Sequence, residues 1–143
     1  MSFLLSLYEQ LAADATVTAN VSTRIYRGSA PQSATMPYLV MHEISKRHAH
    51  HLRGAAGIVE GSIQIDVIDD DPDDCQTIAE TIRDTIDGLH GTMGTSNTTD
   101  VRRCFLSRES DDNFSPQDGG DIPIYRRILE FDIAHAESLP SLS

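Results

Sequence analysis

The sequence predicts an α+β fold in which two helices pack on one face of a mostly antiparallel sheet. Residues 75–89 carry a continuous apolar stripe at helical spacing, which indicates a helix with one buried side. Apolar and polar residues alternate through residues 62–68 and 125–133, which is typical of strands buried on one face. The chain of 143 residues is long enough for one domain with its own core. We assign residues 1–136 to that domain and residues 137–143 to a flexible C-terminal tail.

The first half of the chain is predicted to hold one helix and three strands. Four apolar residues between positions 4 and 11 recur at helical spacing, so a short amphipathic helix is expected over residues 2–13. The polar and β-branched residues 14–20 predict a loop, and residues 24–26 predict a minimal strand. Residues 38–44 form the next strand. Its pairing with the strand at residues 62–68 would make the basic tract between them the tip of a long hairpin.

The alternation also assigns the two faces of the strand at residues 62–68. Ile63, Ile65 and Val67 are expected to pack against the second helix, whereas Gln64 and Asp66 are expected on a face open to solvent or to a partner. A register slip of one residue would exchange the two sets.

The second half begins with the best-marked helix of the chain. Asp71 can cap it, Pro72 suits its first position, and Gly88 ends it. The small, polar residues that follow, up to position 100, are expected to be mobile. Two further strands over residues 101–108 and 125–133 complete the predicted order α-β-β-β-α-β-β.

The charge of the chain argues against several classes of protein. Asp and Glu number 22 against 11 Lys and Arg, a net charge of −11, and such a chain repels nucleic-acid phosphates and anionic membranes. Neither a secretion signal nor a membrane span is recognised, so a soluble protein made in a cytoplasm is expected. Cys75 and Cys104 form no metal-binding pair. Cys75 lies on the apolar stripe, which predicts a core residue rather than a reactive thiol.

Two clusters could hold a metal ion, and each has a simpler interpretation. His48, His50 and His51 are candidate zinc ligands, but no acid or cysteine lies at ligand spacing and neighbouring cations repel a metal ion. The acidic run at residues 69–74 resembles a calcium-binding loop but has aspartate where that loop needs glycine, which favours a helix cap. No nucleophilic or phosphate-binding motif is found. The residues therefore predict no enzyme, no metal site and no cofactor.

Two long hairpin tips of opposite charge are the most unusual feature of the chain. Six of the eight residues at 46–53 are Lys, Arg or His, and the connection at residues 109–123 is rich in aspartate. Complementary charges of this kind favour contacts between subunits or with a partner, so an assembly component is predicted. The predicted interface residues are Lys46, Arg47, His48, His50, His51, Arg53, Asp111, Asp112, Asp118 and Asp121.

A series of short motifs follows a characteristic order along residues 2–136. They are Arg24-Ile25-Tyr26, Ala30-Pro31-Gln32, Met36-Pro37-Tyr38-Leu39-Val40, Leu52-x-Gly54, Ile63-Gln64-Ile65-Asp66-Val67, the helix from Asp71 to Gly88, Arg108-Glu109-Ser110-Asp111-Asp112 and Phe131-Asp132-Ile133. In this order and spacing the chain resembles the tail-completion, or tail-terminator, proteins of long-tailed phages and related prophage or gene-transfer-agent particles. The histidine tract and the insert at residues 91–99 depart from the family pattern.

The resemblance implies a structural protein of the particle, made in the host cytoplasm and carried in the virion. Members of the family form a hexameric ring on the end of the tail tube nearest the head, where the ring stops tube polymerisation and joins the head connector. The implied partners are further copies of the chain, the tail tube protein and the head–tail connector or neck protein, while DNA passes through the lumen without specific binding. The alternatives are another neck ring such as a head–tail adaptor, a tail assembly factor, and a small metal-binding domain using the histidine tract.

Overall fold

The computed structural model describes residues 3–31, 33–51, 54–112 and 123–136, with the backbone alone at residues 49–51 and 54–56. These residues form three helices and one curled, mixed sheet of six strands. No helix of the described part is long and apolar enough to cross a membrane. The elements are α1 (Phe3–Ala12), α2 (Ala15–Val21), β1 (Ile25–Arg27), β2 (Tyr38–His51), β3 (Gly54–Asp69), α3 (Pro72–Ile86), β4 (Gly91–Met93), β5 (Thr99–Asp111) and β6 (Tyr125–Ala136).

The strands lie in the order β1-β2-β3-β6-β5-β4. β1 and β2 are parallel, and the other four neighbouring pairs are antiparallel. The order of elements along the chain is therefore α-α-β-β-β-α-β-β-β. The predicted order α-β-β-β-α-β-β is wrong at two places, where it misses a helix and a strand. Both missed elements are short and depend on contacts with distant parts of the chain.

The missed helix is α2, which occupies most of the segment predicted as a loop at residues 14–20. Asp14 caps it, because Asp14 Oδ1 accepts hydrogen bonds from the backbone N–H groups of Thr16 at 2.9 Å and Val17 at 3.2 Å. The threonines and valines of this segment have low helix propensity. Val17 and Val21 are nevertheless buried on one side of the helix, so tertiary burial stabilises a helix that local preference does not favour.

The missed strand is β4, which pairs with Thr99–Val101 of β5 in the stretch predicted to be mobile. The turn after β4 is held by α1, since the Glu9 carboxylate accepts hydrogen bonds of 2.8 to 2.9 Å from the backbone N–H groups of Thr95, Ser96 and Asn97. Donation from the backbone and side chain of Asn97, followed by the Thr95 N–H, lowers the pKa of Glu9 from 4.5 to about 2. One acidic side chain on a helix thus orders a segment whose composition indicates flexibility.

One hydrophobic core lies between the three helices and one face of the sheet. The predicted alternation is confirmed, because Ile63, Ile65 and Val67 of β3 are fully buried, as are the inward residues Leu129 and Phe131 of β6. The other face of the sheet carries mainly polar and charged side chains and is called the helix-free face below.

The predicted core role of Cys75 is confirmed. Cys75 is buried where α3 packs on β3, and its Sγ lies 3.3 Å from the Val67 carbonyl oxygen. Desolvation raises the pKa of this thiol to about 11, which keeps it protonated and unreactive at neutral pH.

β2 and β3 form a long antiparallel hairpin that extends to His51 opposite Gly54. The predicted pairing of these strands is confirmed, and β2 continues through the basic tract as far as His51. The register shifts between Glu43 and Ser45 on β2, which marks a β-bulge. Gly61 faces this bulge, where a Cβ atom would lie 2.1 Å from the Ser45 carbonyl oxygen. Only glycine therefore fits at that position of β3.

Candidate functional site

The described residues of the two charged tips lie at opposite ends of the sheet. Across the four long strands, Arg47 stands level with Arg103, whereas Asp111 stands level with Leu39. Eight residues of β2 separate these levels, about 26 Å at the rise of an extended strand. The term basic end is used below for Lys46, Arg47 and His48, and the term acidic end for residues 69–74, Asp111 and Asp112.

At the basic end, Lys46 and Arg47 each have a carboxylate partner within the chain. Lys46 Nζ lies 3.8 Å from the Glu43 carboxylate, and Arg47 donates to the Glu60 carboxylate. The Arg47 side chain is still 78% exposed. Ion pairs at such exposed positions are weak, so a partner of higher negative charge can replace them.

The basic tract continues beyond the basic end with His50, His51 and Arg53, which are described only in part. The ladder pairs His50 with Ala55 and His51 with Gly54, which places their backbone at the basic end. Their side chains, and Arg53 as a whole, lie outside the described residues. Within the ranges that the structure covers, no group of three His, Cys, Asp or Glu side chains is arranged to hold a metal ion. The interface role of the tract stays a prediction.

At the acidic end, the two described aspartates of the predicted interface bind arginines of their own chain. Arg127 binds the Asp111 carboxylate and lies 2.8 Å from Glu109, and Arg126 lies 3.5 Å from Asp112. These acids are therefore partly neutralised, but their side chains remain about half exposed, at 56% and 52%. The other two predicted acids, Asp118 and Asp121, lie outside the described residues.

The acidic run at residues 69–74 adds five aspartates to the same end. Its predicted cap is confirmed, since Asp71 Oδ1 accepts a 2.9 Å hydrogen bond from the Asp73 N–H and Pro72 begins α3. Sequence reasoning missed the wider effect, because only the fold brings Asp73 and Asp111 to the walls of one small cavity of about 140 Å³. The acidic end is therefore larger than the hairpin tip alone.

Asp69 is the buried member of this run. It is 3% exposed, its Oδ1 accepts a 2.7 Å hydrogen bond from the Asp70 N–H, and its Oδ2 has no hydrogen-bond partner among the described residues. Burial, aided by the charges of Asp70 and Asp74, raises the pKa of Asp69 from 3.8 to about 6. Because the folded state binds the proton more tightly than the unfolded state, Asp69 lowers stability progressively as pH rises between these two values.

Replacing Asp69 by asparagine is expected to raise the melting temperature at pH 7.5 by roughly 3–8 °C, the effect of about 1–2 kcal/mol in a domain of this size. Asparagine keeps the Oδ1 acceptor and removes the buried charge. The gain should fall as pH drops from 6 and disappear at about pH 3, where Asp69 is mostly protonated in both states. Thermal unfolding by circular dichroism at both pH values measures it, with Asp84→Asn, at an exposed aspartate on α3, as control. An equal gain at both pH values would contradict the assignment.

The helix-free face contains a buried charge at Asp66, so the prediction that this residue is open to solvent or a partner is wrong. Asp66 is 3% exposed. Its carboxylate lies 3.1 Å from Arg126 Nη2 and 3.5 Å from His42 Nε2, and it accepts a 2.7 Å hydrogen bond from Gln64 Nε2. Long side chains on the same and neighbouring strands cover it, which alternation along one strand cannot indicate.

Comparison with known proteins identifies a family and finds solved chains with a similar structure. The family model described as tail completion protein gp17 matches residues 6–133. A solved chain from the virion of a native gene transfer agent (GTA) particle superposes with a TM-score of 0.69 at 19% identity, over 95% of this chain and 100% of that chain, which shows a shared fold. A second solved chain covers 99% of both chains at 15% identity and a TM-score of 0.47. No curated protein sequence gives a significant match.

Proposed function

We propose, since this chain belongs to the tail completion protein gp17 family, that it forms the ring that closes the head-proximal end of a tail and joins the tail to the head connector. The family is a structural component of the virion, so the chain is a phage tail structural protein and not an enzyme. Its place is accordingly in a phage or phage-like particle.

The observation that supports a ring is the distance between the basic end and the acidic end. A closed ring of identical subunits joins two different surfaces, head to tail. The two ends are eight residues of β2 apart, about 26 Å, which exceeds the roughly 8 Å over which exposed charges interact at physiological salt. The ends of one chain therefore do not neutralise each other. The basic end of one subunit complements the acidic end of the next.

The other partners follow from the position of such a ring. One side of the ring contacts the tail tube protein, and the other contacts the head–tail connector or neck protein. The net charge of −11 suits a lumen through which DNA passes without specific binding, because like charges repel.

A head–tail adaptor ring and a tail assembly factor are the second candidates, because they also present charged surfaces to other particle proteins. Mass spectrometry of purified particles tests the assembly-factor hypothesis, because an assembly factor would be absent from finished tails. Electron cryo-microscopy of the particles tests the adaptor hypothesis, because an adaptor ring would lie on the head connector rather than on the tail tube. A ring that lacks six-fold or compatible three-fold symmetry would contradict the proposed hexamer.

Replacing the basic tract by neutral residues is expected to leave the subunit folded and to stop tail completion. The variant changes Arg47, His48, His50, His51 and Arg53 together to glutamine or serine. Its melting temperature should equal that of the wild type, because the two of these positions whose side chains are described, Arg47 and His48, are exposed at the end of the sheet. The yield of DNA-containing, tailed particles should fall at least about tenfold, the effect of ~1.4 kcal/mol on joining.

The matched control neutralises exposed arginines elsewhere on the chain, in the variant Arg83→Gln with Arg108→Gln. It should give normal particle yields and a normal melting temperature. A normal yield of particles from the basic-tract variant would show that this tract has no part in assembly.

A further inference from the structure

We propose that neighbouring copies of this chain join edge to edge, so that an open edge of β2 in one subunit pairs with an open edge of β5 in the next. The proposal rests on the ring described above and names the backbone contact that holds it together. An open edge is here the part of β2 or β5 that has another described strand on one side only. The pairing extends the sheet from one subunit into the next.

The open edge of β2 begins where the short strand β1 ends. β1 pairs only with Leu39–Met41, and the Gly28 N–H donates to the Met41 carbonyl oxygen at 2.8 Å. β2 continues to His51, and no other described strand pairs with it on that side. Because the Met41 carbonyl points toward β1, alternation along the ladder directs the backbone groups of Glu43 to the same, open side.

The open edge of β5 lies on the other side of the sheet. β4 pairs only with Thr99–Val101. The end of α3 covers the next part, where the Gly88 N–H donates to the Cys104 carbonyl oxygen at 2.7 Å and Asp87 accepts from the Leu106 N–H at 2.8 Å. In residues 107–111, β5 has no second strand beside it among the described residues. This open edge is about 17 Å long at the rise of an extended strand.

Alternation also identifies the backbone groups of β5 that point outward. The Asp112 N–H donates to the Arg126 carbonyl oxygen at 2.8 Å, so it points toward β6. Neighbouring residues of an antiparallel strand direct their backbone groups to opposite sides. The N–H and C=O groups of Glu109 and Asp111 therefore point away from β6, where a further strand can bind them.

The two open edges run in directions that suit pairing between copies. Each neighbouring pair in the series β2, β3, β6 and β5 is antiparallel, so β2 and β5 run in opposite directions. A second subunit related by rotation about a ring axis therefore places its β2 antiparallel to β5. Glu43 stands opposite Ile63 and Glu109 opposite Leu129, two residues buried under the helices. The helices of both subunits thus lie on the same side of the continuous sheet.

The positions of the open edges set the shift between subunits. Asp111 stands level with Leu39, which β1 covers. A shift of eight residues of β2, about 26 Å, brings Arg47 of the next subunit beside Asp111. β1 of that subunit then lies beyond Asp111 and β4 of the first lies beyond His51, so neither blocks the pairing. The same shift places the basic end of one subunit beside the acidic end of the next, as the proposed ring requires.

A second copy of the chain is the partner that fits both edges. Within one chain β3 and β6 lie between β2 and β5, so the two edges do not meet. They are different surfaces, and a contact between different surfaces of identical subunits closes a ring. Open edges of this kind are templates for strand pairing. The β-bulge between Glu43 and Ser45 bends the edge of β2, which restricts pairing with unrelated strands.

Proline at an outward position of β5 tests the pairing. Glu109→Pro removes one outward N–H and no hydrogen bond of the subunit's own sheet, a change that outer strands tolerate. Glu109→Ala is the matched control, because both variants lose the 2.8 Å ion pair with Arg127 and only proline lacks the N–H. Electron microscopy of purified tails should show ring occupancy about tenfold or more lower with proline than with alanine, since the loss recurs at every contact of the ring.

Asp111→Pro and Asp111→Ala repeat the comparison near the end of β5, where a change disturbs the fold least. The melting temperature of each variant shows whether its subunit is folded. Equal ring occupancy in a folded proline variant and its alanine control would overturn the edge pairing.

A reconstruction of wild-type tails by electron cryo-microscopy tests the same contact without a substitution. β2 of one subunit should lie about 4.8 Å from β5 of the next, the spacing of paired strands. A ring in which these two edges lie apart would overturn the edge pairing and leave the proposed function standing. Wild-type tails without a ring of this chain would instead overturn the proposed function.

Discussion

Replacing Ile65 by aspartate is expected to leave no soluble, folded protein. Ile65 is fully buried on β3, between Met41 of β2 and Leu129 of β6, on the face covered by the helices. A carboxylate at this position would lose its water without gaining a partner, which costs several kcal/mol. A domain of this kind is held folded by only about 5–15 kcal/mol. The soluble fraction after expression and the far-ultraviolet circular dichroism spectrum measure the effect.

Ile44→Asp is the matched control, because it makes the same substitution at an isoleucine that is 53% exposed. Its free energy of unfolding should change by less than about 0.5 kcal/mol, as is usual for surface substitutions. Equal losses of solubility in the two variants would contradict the assignment of buried and exposed positions on this sheet.

Replacing Arg126 by methionine is expected to lower the free energy of unfolding by about 2–4 kcal/mol, because it leaves the buried Asp66 carboxylate without its arginine partner. Methionine retains most of the apolar volume of the arginine side chain. Arg126 lies 3.1 Å from Asp66 and also contacts Asp112 at the acidic end. In a domain of this size the melting temperature should fall by roughly 10 °C. Urea denaturation at pH 7.5 gives the free energy directly.

Two further variants separate the stranded charge from other effects of losing Arg126. Arg102→Met removes an arginine from an exposed pair with Asp100 and should change stability by less than about 1 kcal/mol. Asp66→Asn combined with Arg126→Met removes the stranded charge and should recover part of the loss. No recovery in the double variant would show that the loss does not arise from Asp66.

The long elements could be predicted because their signals are local. α3 carries its own cap at Asp71 and its own apolar stripe, and the alternation in β3 identifies the buried Ile65 without reference to any other strand. α2 and β4 could not be predicted in this way. They exist because Val17 is buried by distant residues and because Glu9 binds the turn after β4. Their stability is tertiary, so no local pattern marks them.

For the candidate site, the sequence indicates which residues are charged but not how those residues are arranged in space. The sequence shows that the chain carries a basic tract and an acidic connection, because charge is a property of each residue alone. It cannot show that Arg47 and Asp111 lie at opposite ends of one sheet, because that depends on the register of four strands. A shallow groove lined by Arg47, Ser62 and Arg103 was missed for the same reason, since its walls come from residues far apart in the chain.

The sequence by itself determined the class of this protein: an acidic chain with an α+β fold and the motif order of a tail-completion subunit. Periodicity and helix capping depend on residues that are close together in the sequence, and net charge depends on composition alone. All three can therefore be predicted without knowledge of the fold. The tertiary structure alone decided which charges remain available to other molecules. Asp66, expected on an exposed face, is buried under Arg126 and His42, and Asp111 is paired with Arg127. The physical reason is that ion pairing, burial and pKa depend on distances through space, which are set by strand register and side-chain length and not by position along the chain.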